Sequence, residues 1–398
     1  MLRYPFIALI GALALAATQA PAPSTTIGIF ASQSDVGNVL HPGSAEYNAN
    51  SKTYTVSGSG DNMWASTDEF HFVWKQVSAQ DLSLTADISM LGESKEGHRK
   101  AVLMIRQSMD DDSPYVDAAR HGEGLTSLQF RDQKGAITRE VESNVSGPTR
   151  LRIVKLGDRF YMWIGDKKGR LQFSGGSAHV EMQAPFYVGI GVCAHQKDVV
   201  ERATFTNVDL DTNITPTKVH YSTVETVLAS GDARTGFVSP KRLTAPGWNP
   251  DGHKLTFEIG GHRKEVVFTP LRTAAPVGAP ITAQPESNGE YVASNQGGTM
   301  QIWHKGADGS QPEQMTSADY NSASPRLSPD GKYLLFLSYP KELSSLQENQ
   351  EVTLRLITLT DKRVRTLATF VGGPGSLGTQ PWSPDGRRVA FISYQTME

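Results

Sequence analysis

A single cysteine, Cys193, stands in 398 residues. No intrachain disulfide can form, and no thiolate cluster can hold a metal. The neighbours Tyr187 to Val192 follow a strand pattern, which predicts a buried small side chain at Cys193 instead of a reactive thiol. Charge of one sign is equally scarce. The 38 Lys and Arg nearly balance the 41 Asp and Glu, for a net charge of -3, so no electrostatic footprint for nucleic acid is visible. Acidic runs are short, and Asp110-Asp111-Asp112 reads as a solvated loop. With Asp117 it offers carboxylates for Ca²⁺, but it lacks the spaced ligand order of a defined calcium loop, and no cofactor is expected. The ten His residues show no HExxH or other short metal spacing.

Long apolar runs are missing beyond the first residues. Residues 1–20 look like an export signal: Arg3 gives a positive start, Phe6 to Ala17 are apolar, and small residues follow. Pro21 disfavours cleavage after Ala20, which leaves a cut near Ala16 or Ala17 as the alternative. The stretch is short for a membrane span. The expected mature chain is periplasmic or secreted, with no transmembrane segment. Catalytic signatures are scarce too. A Glu-x-Asp-x-x-Glu arrangement is absent, Glu69, Glu140 and Glu142 sit in polar text, and no carboxylate pair alternates within an apolar strand. The nearest text to a Gly-x-Ser-x-Gly elbow, Pro374-Gly375-Ser376-Leu377-Gly378, begins with Pro.

What is present is a phrase written three times in the C-terminal half: Trp248-Asn249-Pro250-Asp251-Gly252, Leu327-Ser328-Pro329-Asp330-Gly331 and Trp382-Ser383-Pro384-Asp385-Gly386, each followed by an alternating strand. Pro presets φ for a tight turn, Asp bonds its own backbone two residues on, and Gly accepts the positive φ that closes it. The Asp residues are therefore turn formers. Their spacing is 79 and then 55 residues. A propeller blade takes about 40, so the first interval predicts a worn copy, found at Glu286-Ser287-Asn288-Gly289. The polar stretch 340–351 reads as an inserted loop. The last copy has no room for outer strands, so segments such as Thr223 to Leu228 and Gly236 to Val238 must complete its sheet.

These turns, with Met300-Gln301-Ile302-Trp303, Ala307-Asp308-Gly309-Ser310 and Ser324-Pro325-Arg326, resemble the Pro-Asp repeats of TolB-like β-propellers, a periplasmic family of the Tol envelope system. The likeness covers roughly residues 215–398. It implies an envelope protein whose propeller offers loops to a protein or peptide. The family usually carries about six repeats; this chain reads as four.

From Ile27 to about Leu210 the pattern is β without the repeat, predicting a two-sheet sandwich. Gly60 to Trp64, Phe72 to Gln76, Ala101 to Ser108, Ser127 to Arg131 and Leu151 to Ile153 resemble a concanavalin-like, laminin-G-type jelly roll, which implies a glycan-binding or accessory module. Arg106, Gln107, Gln129 and Arg131, with Trp64 and Trp74 as aromatic surface, are the candidate glycan face, although adjacent Arg106 and Gln107 cannot both point one way in a regular strand. The competing account buries the tryptophans and pairs the arginines with carboxylates such as Asp87.

The expectation is an all-β protein: a leader at 1–20, a jelly-roll β-sandwich at 25–212, and a short, about four-blade, TolB-like β-propeller at 218–398 closed by strands from both ends. The expected role is non-enzymatic binding or scaffolding, with an envelope protein or peptide on the propeller and glycan on the sandwich. The alternative is a glycoside hydrolase-like enzyme using the sandwich face.

Overall fold

The computed structural model describes residues 26–166, 168–215, 218–229, 231, 233–268 and 289–397. The expected leader and the worn turn at Glu286 to Asn288 lie outside them. The described residues form strands and no helix, and none of them contributes a helix long and apolar enough to cross a membrane.

The N-terminal half is a sandwich of antiparallel sheets. One sheet runs, in spatial order, Ser32–Val36, Phe70–Val77, Phe186–Cys193, Lys100–Arg106, Tyr115–His121, Thr126–Arg131 and Arg139–Glu142. The other runs Leu171–His179, Arg159–Gly165, Arg150–Leu156, Leu82–Leu91, Glu201–Asp211, Thr53–Gly58 and Ser44–Asn48. Alternation sends Leu103, Ile105, Val116, Ala118 and Leu128 of the first sheet against Leu84, Ala86, Ile153 and Phe205 of the second. Each such fully buried large side chain contributes about 1.5–3 kcal/mol. Every residue of Lys100–Arg106 is buried, so the outer face of that sheet is covered as well. Cys193 lies on this covered face, and burial pushes its thiol up to about 11.

The C-terminal half consists of four successive sheets. Leu243–Trp248, Lys254–Ile259 and His262–Val267 form one. Gly289–Gly297, Thr299–Gly306 and Glu313–Gln314 form the next. Asn321–Leu327, Tyr333–Tyr339, Gln350–Thr358 and Arg363–Gly372 form the third. The fourth combines both ends of the repeat region: Val219–Leu228 pairs with Ala233–Ser239 on one side and with the last strand, Arg388–Met397, on the other. Closure by strands from both ends is thus present. The sheets pack face to face, Val224 and Ile392 on Leu255 and Phe257, Phe391 on Leu337 and Leu354, and Ile302 on Leu334 and Phe336.

The repeated turns behave as their chemistry requires. Gly331 N–H donates to Ser328 O at 2.9 Å, Lys332 N–H to Asp330 Oδ1 at 3.2 Å, and Tyr333 N–H to Ser328 Oγ at 2.9 Å. Asn249 Oδ1 replaces the serine hydroxyl in the first copy, accepting from Lys254 N–H at 2.8 Å.

One connection was not expected from the sequence. Arg139–Glu142 pairs in parallel with Ala233–Ser239, through Val141 with Ala233 and Glu142 with Arg234. The sandwich sheet therefore runs on into the fourth propeller sheet. An edge strand with unpaired N–H and C=O groups gains partners this way.

Candidate functional site

Two places gather polar side chains. The first is the outer face of the sandwich sheet. Asp68 is fully buried there, under the hairpin of Met63–Trp64 and Thr67–Asp68. Arg131 grips it with two bonds, Nη2 to Oδ1 at 2.7 Å and Nη1 to Oδ2 at 2.9 Å, and Arg106 Nη2 reaches Oδ2 at 3.4 Å. The guanidiniums also donate to the carbonyls of Ser113, Ala136 and Ser108, and stack over Tyr115 and Phe70. Asp87, the partner suggested by the strand pattern, instead binds Arg150 at 2.6 Å and Asn207 at 2.7 Å. The reason is position: Asp87 lies on the opposite sheet, whereas the hairpin folds Asp68 over the arginines.

Beside this group, Lys100 Nζ donates to Asn62 Oδ1 at 2.7 Å and to Gln129 Oε1 at 3.3 Å, and Gln129 Nε2 donates to Glu140 Oε2 at 3.3 Å. Asp117 faces Gln129 across the strand pair. Burial, and to a smaller degree the Asp68 and Glu140 carboxylates, push its pKa well above the ordinary range despite nearby Lys100. The sequence reading passed over Asp68 and Lys100, grouped Asp117 with the acidic loop, and read Glu140 as lying in polar surroundings. Glu140 and Glu142 do alternate on a buried strand, the signal that Arg139-Glu140-Val141-Glu142 carried.

Of the predicted glycan face, Trp64, Trp74, Arg106, Gln129 and Arg131 share this outer side. Arg106, Gln129 and Arg131 are fully buried. The tryptophans are half-buried: Lys100 Nζ lies 5.5 Å from the Trp64 ring, and Trp74 meets Tyr187 edge-on at 4.9 Å. Gln107 points elsewhere, bonding Gln183 through both its amide atoms. Among the acidic-loop residues, Asp110 and Asp112 pair with Lys134 at 2.6 and 3.4 Å, while Asp117 is buried on its strand away from them. No group of three or more His, Cys, Asp or Glu among the described residues is placed to hold a metal.

The second place is a pocket of about 390 Å³ lined by the strands Leu243–Trp248, Lys254–Ile259 and His262–Val267, by Arg326 of the strand Asn321–Leu327, and by the segment 374–380. Two of these strands carry the same irregularity: a bulge with a left-handed residue, Ala245 (φ 52°) or Ser324 (φ 55°), followed by Pro246 or Pro325. Such bulges re-aim the side chains that follow. The segment after Arg363–Gly372 approaches the first bulge so closely that a Cβ on Gly378 would stand 2.0 Å from Pro246 O. Arg326 lines the pocket half-buried, its Nε donating to Gly378 O and its Nη1 to Pro325 O, both at 2.8 Å. Burial lowers its pKa, and among the described residues no carboxylate pairs with it. Glu258, Arg263 and Trp248 complete the wall.

No protein-family model matches the chain. An uncharacterized protein of Agrobacterium fabrum is 30% identical over 163 residues, 38% of this chain and 55% of that protein. The chain thus spans about half the length of the curated relative it matches. Among solved structures, it is similar to a TolB candidate from Agrobacterium tumefaciens, at 17% identity over 80% of this chain and 99% of that one, with a TM-score of 0.27. It is also similar to carbohydrate-binding module CBM66 from Bacillus subtilis, at 17% identity over 47% of this chain and 97% of that one, TM-score 0.30. A seed lectin of Lotus tetragonolobus aligns at 9% identity over 45% and 96%, again with a TM-score of 0.30. All three scores lie below 0.5 and leave the biochemical role to the chain's own residues.

Proposed function

We propose that the chain is a non-enzymatic, TolB-like binding or scaffold protein of the cell envelope, periplasmic or secreted, whose propeller receives a protein or peptide at its central pocket. The observation that carries this reading is Arg326. A guanidinium lining a pocket, bonded to carbonyls and without a carboxylate partner among the described residues, is completed by an anionic group from outside. The carboxylate of a peptide, from a side chain or a chain end, meets that need. The test is a peptide array probed with the full chain and with Arg326→Gln. Acidic peptides should bind the wild type and weaken about tenfold or more in the variant, the factor expected when one charge-assisted bond is lost. Equal binding by the two proteins would overturn the assignment.

The sandwich supports a second contact. Trp64 and the Trp74–Tyr187 pair offer half-exposed aromatic surface on one face, which suits the apolar side of a sugar ring. A glycan array with Trp64→Ala and Trp74→Ala decides this, and unchanged signals would dismiss it. Reducing-sugar release that disappears in Asp117→Asn or Glu140→Gln would replace the binding role with an enzymatic one.

A further inference from the structure

A second cavity, of about 190 Å³, lies between the sandwich and the propeller. Its walls mix polar and apolar side chains, the apolar part coming from Phe130 of the sandwich and Leu367, Phe370 and Phe391 of the propeller. Two buried carboxylates line it, Glu140 from the sandwich and Glu225 from the propeller. Ser393 Oγ donates to Glu225 Oε1. Among the described residues no donor reaches the other oxygen, and burial without any compensating cation pushes the pKa to about 7. The other charged groups of the lining are Asp132, Arg139, Glu140, which accepts from Gln129 Nε2 at 3.3 Å, and His179, which is engaged with Glu351 at 3.4 Å.

An apolar residue here would avoid the cost of desolvating a carboxylate. A carboxylate in an aromatic cavity is instead the chemistry that holds an organic cation, the charge facing both the acid and the ring faces. A metal ion is a poor match, because among the described residues no three His, Cys, Asp or Glu are placed to hold one. The volume exceeds that of the roughly 150 Å³ cavities known to admit benzene. We propose that this cavity binds a small organic cation, an alkylammonium or quaternary ammonium group, with Glu225 as its counter-ion. The site is separate from the central pocket of the propeller and takes a ligand of opposite charge.

Calorimetric titration of the full chain at pH 8 with choline, and with its neutral isostere 3,3-dimethylbutan-1-ol, tests the assignment. Choline should bind about tenfold or more tightly than the alcohol, as expected for a desolvated cation beside aromatic faces and a carboxylate. Its affinity should fall when the pH is lowered to 6, because Glu225 takes up a proton; protonation of His179 works in the same direction. Glu225→Gln should erase both the choline preference and most of its pH dependence. Should that variant fail to fold, the choline-to-alcohol ratio and its pH dependence in the wild type still decide. Equal binding of the two probes, which marks a merely apolar void, or binding of neither, overturns the proposal.

Discussion

Replacing Asp68 by Asn is the sharpest test of how the sandwich is held together. The substitution keeps the shape of the side chain and removes its charge. It leaves the Arg131 and Arg106 guanidiniums, both fully buried, without the carboxylate they reach at 2.7 and 3.4 Å. On the surface such a pair is worth about 0–1 kcal/mol, because water already solvates both partners. Inside the protein the loss is about 3–5 kcal/mol, since an uncompensated charge stays buried. Remaining bonds from Arg131 to Ser113 O and Ala136 O favour the lower end of that range. Urea denaturation of the full chain measures the change, provided the slope of the transition is preserved. A second readout is local. Arg131 Nη2 and Thr138 N–H both donate to Ala65 O, so the same network fastens the 63–68 hairpin over the sheet. Amide exchange in that hairpin should accelerate in the variant. A loss below about 1 kcal/mol would refute the reasoning, because it would mean that water reaches the group and screens it.

Glu225 predicts a pH effect with a defined sign. Its folded pKa of about 7 lies above the ordinary carboxyl value of 4.5, so its stabilising contribution is complete below about 4.5 and is lost as pH rises through 7. That loss amounts to about 3 kcal/mol, and Glu225→Gln should flatten the profile of denaturation midpoint against pH over that window. Gly378→Ala should cost about 1–3 kcal/mol by overpacking against Pro246 O, and should narrow the central pocket enough to weaken any peptide bound there. Ser328→Ala removes the acceptor of Tyr333 N–H and the donor to Asp330 Oδ1 at 2.7 Å; thermal denaturation should register a loss of about 1 kcal/mol.

The repeat was legible because turn chemistry is local. Pro, Asp and Gly act within five residues, and Ser328, Ser383 and Asn249 play one role in three places. Pairing of Val219–Leu228 with Arg388–Met397 was legible for a related reason, since a last copy without outer strands must borrow them. For the candidate sugar face, the strand pattern carried position but not burial. Alternation placed Arg106, Gln129 and Arg131 on one side of the sheet, but it is silent about what covers that side. The cover comes from Asn62 to Asp68, a polar segment whose text looks like an exposed turn. Asp68 could not be told from Asp87 as the arginine partner, because that choice depends on how the hairpin folds back. The parallel contact of Val141 with Ala233 had no local signal at all, joining strands far apart in the chain.

That contact changes how the two halves should be regarded. Beyond the shared sheet, Arg159 reaches Glu351 at 3.2 Å, Asn144 Nδ2 donates to Gly236 O at 3.1 Å, and Val141 and Phe130 of the sandwich pack into the apolar cluster of Leu335, Leu354 and Phe391. Cutting the chain near residue 215 would uncover this apolar surface and leave Arg139–Glu142 as an open edge. Glu225 lies at the same junction, in the cavity that both halves wall. Occupancy of that cavity therefore acts on the joint itself. A cation bound against Glu225 removes the cost of its buried charge and stabilises the docked arrangement by the free energy of binding. On the proposed reading, a cation held between the two units would stiffen the support that presents the propeller pocket.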